Sequence, residues 1–147
     1  MTAKPTIAIA ADHGGFFLKQ AILTAYAARF DFLDLGTNSE ESCNYADYGH
    51  ALAEAIERGR ARQGIIICGS GIGISIAANR HKAVRAALCA DVTMARFARL
   101  HNDANVLALG ARIIGQQVAF DCVDVFFSTA FEGGRHEARV EKLNTGI

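Results

Sequence analysis

Short, almost wholly apolar runs alternate along this chain with amphipathic stretches. TIAIAA (6–11), FDFLDLG (30–36), GIIIC (64–68), VRAALCA (84–90) and NVLALG (105–110) read as strands. Helical spacing fills the gaps: Gly15 to about Arg29, HALAEAIERGRA (50–61), Ile74 to Arg80, VTMARFARL (92–100) and QQVAFDCVDVFFSTA (116–130). After Gly133-Gly134, the tail predicts a last, polar helix over about 135–145. Strands that are apolar at nearly every position are buried on both faces. The pattern therefore predicts a five-stranded parallel sheet covered by helices on both sides, with right-handed crossovers. Neither an internal repeat nor a linker interrupts it, and 1–147 reads as one domain.

Ligands of such sheets sit beyond the carboxyl ends of the strands. Asp12 and His13 end the first strand, Cys68 and a glycine loop the third, and Arg112 follows the fifth. Residues with chemistry thus gather on one edge.

Composition narrows the class. The chain is 51% apolar and 20% charged, with 15 basic and 15 acidic residues. That describes a globular protein with no charge field for nucleic acid. No apolar run is long enough to span a membrane, and the start MTAKPTIAIAADHGG lacks a signal-peptide pattern. Cys43, Cys68, Cys89 and Cys122 form neither a CxxC pair nor a zinc spacing. Reduced thiols in a cytoplasmic protein are expected.

The loop Gly69-Ser70-Gly71-Ile72-Gly73 lets backbone N–H groups converge at a helix N-terminus, which suits an anion. It lacks the lysine of a nucleotide-binding P-loop. A dinucleotide fingerprint needs its third glycine at 74, where this chain has Ile74. An oxyanion site beside a nucleophile or base is the remaining reading, and a plain turn competes with it. Cys68 at the loop's mouth is either a small buried hydrophobe or a thiolate favoured by the helix end. His101-Asn102-Asp103, read as a loop after the fourth helix, suits a cap or a proton carrier. Asp12 suits an N-cap as well as a site. Arg135 and Arg139, four apart, form either a solvated face paired with Glu132 or Glu141, or a phosphate clamp. The glycine pair lets this tail swing away from its own sheet, and the helix is expected to extend to a partner subunit.

AADHGGFFLK, DLGT, IIICGSGIGISIAANR, RAALC, RLHNDANVLALGAR and FEGGRHEARV follow one another in this order. Together they resemble the sugar-phosphate isomerase family that holds ribose-5-phosphate isomerase B and the galactose-6-phosphate and allose-6-phosphate isomerases. The resemblance implies a Rossmann-like or flavodoxin-like α/β/α sandwich, a homodimer or tetramer, and an active site between subunits. It implies Cys68 as the base moving a proton between sugar C1 and C2, and His101 as the residue opening the ring. Asp12 and His13 would contact the ring oxygens or the phosphate, and Asn102 would help bind the opened sugar. The 69–73 loop would receive the enediolate oxygen, and Arg112, Arg135 and Arg139 would bind the phosphate. It implies no metal and no cofactor. Asn44-Tyr45-Ala46 departs from the Asp-Tyr-Pro usual there and leaves the choice between five- and six-carbon sugar phosphates open. A dinucleotide-dependent oxidoreductase and a non-catalytic sugar-phosphate sensor remain as rival readings of the residues.

Overall fold

A computed structural model describes residues 3–145. In chain order the elements are β1 (Thr6–Ala11), α1 (Phe16–Tyr26), β2 (Asp31–Asp34), α2 (Tyr45–Glu57), β3 (Gln63–Cys68), α3 (Ile72–Asn79), β4 (Ala86–Leu88), α4 (Val92–Asn102), β5 (Val106–Gly110), α5 (Gln116–Phe126) and α6 (Glu137–Thr145). The strands form one parallel sheet in the order β2-β1-β3-β5-β4. This is the expected Rossmann-like, flavodoxin-like architecture, with the last two strands exchanged relative to the order 2-1-3-4-5.

The two faces of the sheet differ in the size of their side chains. Ile7, Ile9, Ile65, Ile67, Leu107 and Leu109 point to the layer of α1, α4 and α5, where they meet Ile22, Ala95, Val123 and Phe126. Each such burial contributes roughly 1.5–3 kcal/mol. Ala8, Ala10, Ile66, Cys68 and Ala108 face α2 and α3. Small residues let that layer lie close. A Cβ on Gly49 would come within 2.9 Å of Ala77 Cβ, and one on Gly64 within 2.9 Å of Leu52 Cδ1. β2 is tied to α1 by a fully buried lysine: Lys19 Nζ donates to both oxygens of Asp34, at 2.8 and 2.9 Å. Removing Asp34 would strand a buried charge, at a cost of about 3–5 kcal/mol.

Several expected boundaries move, each for a local reason. α2 starts at Tyr45 rather than His50, because the Asn44 side chain accepts the N–H of Ala46 at 2.9 Å and caps the helix early. α5 ends at Phe126, short of Ala130. There the Ser128 and Thr129 hydroxyls bond back to the carbonyls of Asp124 and Val125, both at 2.6 Å. β4 keeps three residues, and Asn79 pairs with both backbone groups of Ala86 beside it. His101 and Asn102 lie inside the last turn of α4, and Asp103 is its left-handed cap with φ 45°. The tail opens with a 3₁₀ turn, Gly134–His136, before α6. Arg135 and Arg139 therefore do not share one α-helix. α6 also makes a contact within its own chain, where Arg85 Nη1 donates to Asn144 Oδ1 at 2.8 Å. Among the described residues, no helix is long and apolar enough to cross a membrane.

Candidate active site

β1 and β3 are neighbours, and the chain leaves them toward opposite faces of the sheet, into α1 and α3. That crevice is where an open α/β sheet takes its ligand. The Asp12 N–H donates to Ile67 O at 3.2 Å, which sets Asp12 beside the end of β3. Asp12 is also the N-cap of the turn that follows, its Oδ1 accepting from Gly15 N at 3.1 Å. Asp12 thus caps a turn and also lines the cleft described below.

Cys68 is 4% exposed, and its Sγ accepts the N–H of Gly71 at 3.1 Å. Gly71 can aim that N–H back at the sulfur because it sits at φ 78°. A Cβ there would lie 2.5 Å from Leu88 Cδ1 and 2.8 Å from the Leu109 carbonyl carbon. Gly73 is glycine for another reason: a Cβ would fall 2.3 Å from the ring of Tyr45. Ser70 Oγ accepts the first N–H of α3, from Ile72, at 3.1 Å. Among the described residues the N–H groups of Ser70 and Gly73 have no hydrogen-bond partner. Donors thus stand free beside a sulfur that already accepts one, an arrangement that stabilises negative charge. Arg112 reaches across this loop. Its N–H donates to Gly69 O at 2.9 Å, and its guanidinium lies 3.4 Å from where a Gly69 Cβ would be.

These parts line an open cleft of about 570 Å³, with Asp12, Cys68, Gly69, Ser70, Ile72, Gly73 and Arg112 in its wall. Tyr45, Ile76 and Ile113 line it too and were missed from sequence. The signal for Tyr45 was Gly73, whose lack of a side chain makes room for a ring. His13 is not in the cleft wall. Its Nδ1 accepts the Cys43 N–H at 3.2 Å, which fastens the 37–44 segment over the end of β1.

His101 is not in that cleft, nor are Asn102, Arg135 and Arg139. They lie at the far end of α4 and on the tail. The buried Arg99 organises this edge, donating to Thr129 O at 3.0 Å and to Asp103 Oδ1 at 3.0 Å. The Glu132 N–H bonds Leu100 O at 3.1 Å, bringing the tail onto the helix end. There His136 stacks on His101, ring centroids 4.3 Å apart and planes 15° apart. Phe97 stacks on His101 at 4.8 Å. Arg135 approaches Glu132 at 3.8 Å, the solvated pairing considered above, and stays exposed. His136 is buried and held below the usual histidine range, first by burial, then by the neighbouring His101 and Arg135. Burial pushes the remote thiols of Cys89 and Cys122 up, to about 12 and about 11.

His101, Glu132 and His136 bring ligand-type atoms within 4.8 Å of one another. Two rings stacked nearly parallel cannot both aim in-plane lone pairs at one ion, so this geometry does not suit a shared metal.

Comparison with known proteins agrees along the whole sheet. The family model described as Ribose/Galactose Isomerase matches residues 7–143. Ribose-5-phosphate isomerase B of Escherichia coli is 43% identical over 138 residues, covering 93% of each protein. The structure of Clostridium thermocellum ribose-5-phosphate isomerase B superposes with a TM-score of 0.93 at 47% identity, covering 95% of both chains. That of the Mycoplasma genitalium enzyme with bound ribulose 5-phosphate gives 0.92 at 36% identity, covering 98% of this chain and 97% of that one.

Proposed function

The chain belongs to the ribose/galactose isomerase family, and from that premise we propose that it interconverts ribose 5-phosphate and ribulose 5-phosphate. The observation behind the mechanism is the Gly71 N–H donating to Cys68 Sγ at 3.1 Å, at the mouth of a loop with free N–H groups. The Cys68 thiolate takes the proton from C2 of the open aldose. Electrons of that C–H bond form the C1–C2 double bond, and the aldehyde oxygen becomes the enediolate oxygen, received by the loop's donors. Transfer of the O2 proton to O1 and return of a proton from Cys68 to C1 give the ketose, with no net change in atoms or electrons. The substrate's own carbonyl acidifies the C–H bond, so the step is written with no metal or cofactor.

His101 opens the furanose beforehand by moving a proton between the ring oxygen and the C1 hydroxyl. It is absent from the cleft of its own chain, so the proposal requires a second copy to supply His101, Asn102, Arg135 and Arg139 to the Cys68 side. Ile72, Ile76 and Ile113, which rim the cleft and are more than half exposed, suit a surface that a second copy covers. The phosphate falls to Arg112 and the two tail arginines, and Asp12 binds sugar hydroxyls. The test is a side-by-side isomerase assay with ribose 5-phosphate, allose 6-phosphate and galactose 6-phosphate. Preference for ribose 5-phosphate is expected; turnover of a six-carbon sugar alone would overturn the substrate assignment.

A further inference from the structure

We propose that His136 is a positioning residue for His101, clamping its imidazole in one plane so that only the nitrogen edge is presented to the sugar. This rests on the reading of His101 as the group that opens the ring. A histidine in the last turn of a helix has little to fix its ring, because the second side-chain torsion of histidine is broad. Here two flat groups fix it. Phe97, one turn earlier on α4, stacks at 4.8 Å and 27°, and His136 stacks at 4.3 Å and 15°. Both rings lie close and nearly parallel to the imidazole, so together they set its plane.

His136 is itself tied down. It is 4% exposed, and its backbone N–H bonds Gly133 O at 3.1 Å. The segment is pinned to α4 by the bond from Glu132 N to Leu100 O. The ring uses its face rather than its edge. Its buried Nε2 has no hydrogen-bond partner, and the nearest carboxylate oxygen, on Glu132, is 3.8 Å away. Charge fits the same role. A group that takes and returns a proton is cationic for part of each turnover, and a second cation stacked on it would oppose that step. The charged and titratable groups around His136 are His101 on α4, Glu132 and Arg135 on its own segment, and Arg139 on α6. Burial, then His101 and the arginines, disfavour the protonated form of His136, with Glu132 pulling the other way.

The test compares His136→Leu, which fills the space without a flat face, with His136→Phe, which restores the face without the nitrogens. His101→Ala is run alongside. Two rates are read: turnover of ribose 5-phosphate, which must be opened, and deuterium exchange at C1 of ribulose 5-phosphate, which has no ring to open. His136→Leu is expected to lower turnover by up to about a hundredfold, the scale of an ångström-sized misplacement, and to leave exchange near wild type. His136→Phe is expected to recover most of that loss and to keep the His101 Cε1–H resonance displaced by ring current, a readout that stands even if the leucine variant folds poorly. The proposal is overturned if leucine leaves turnover unchanged, if it lowers both rates equally, or if phenylalanine is as poor as leucine. If His101→Ala itself leaves ribose 5-phosphate turnover intact, the reading of His101 fails first, and the clamp with it.

Discussion

The Cys68 cleft and the His101 edge are built by opposite means. The cradle around Cys68 comes from one strand, one loop and one helix in immediate succession. It is held by backbone, through a positive φ at Gly71 and an N–H on the sulfur, while Asp12, Tyr45 and Arg112 complete the cleft wall from other elements. The edge comes from residues far apart in sequence, held by side chains: Arg99 to Thr129, His136 on His101, Asn144 on Arg85. In the proposed mechanism, a base that must meet a fixed C–H bond gains from a rigid backbone cradle. The proposed proton carrier for ring opening, His101, tolerates assembly from separate pieces, provided its plane is fixed.

The largest expected effect tests the cleft. Cys68→Ala should reduce proton transfer by about 10⁴-fold, the upper end for a general base. Deuterium incorporation from solvent at C2 is the measurement, and near-wild-type incorporation would remove Cys68 from that role. His101→Ala should cost about 10²-fold on ring-closed ribose 5-phosphate while sparing C1 exchange in ribulose 5-phosphate. Equal losses would erase the division of labour between the two regions.

Arg139→Ala should raise KM for ribose 5-phosphate by about one to two powers of ten, since a charge-assisted bond contributes roughly 1.5–3 kcal/mol. Unphosphorylated ribose should not register the change. Mixing Cys68→Ala with Arg139→Ala subunits should restore activity if the two regions meet across a subunit boundary; no recovery despite confirmed exchange would leave them separate. Gly71→Ala should destabilise by about 1–3 kcal/mol from its left-handed backbone alone, with the contacts to Leu88 and Leu109 adding to it. A denaturation midpoint equal to wild type would show that the cleft's backbone is not as constrained as its packing implies.

The smallest effect belongs to the edge and is a pH dependence. His136 is held below the usual histidine value in the folded chain. Its contribution is therefore present above about pH 6.5, the ordinary value, and is lost as pH falls through the lower folded value, because the unfolded chain binds the proton first. Unfolding free energy measured from pH 8 downward should fall less steeply in His136→Phe. An unchanged slope would mean that His136 titrates normally.

Most of the fold and the Cys68 side of the candidate site were legible in the sequence. Uniformly apolar strands such as TIAIAA and GIIIC can only be buried on two faces, so β1 and β3 appear where the pattern puts them. The glycine loop was legible because its geometry is local: backbone donors, a helix end and the thiol that precedes them all occur within a few residues. Edges of helices were less so, since Asn44, Ser128 and Thr129 act through single hydrogen bonds that no periodicity records. Tertiary structure alone decided that Tyr45 covers Gly73, that β5 separates β3 from β4, and that His101 is stacked under His136 and stands outside the cleft of its own chain. The physical reason is range. A pattern along the chain reports which face of an element meets water, whereas a contact between side chains distant in sequence depends on how whole layers pack, and no spacing in the sequence encodes it.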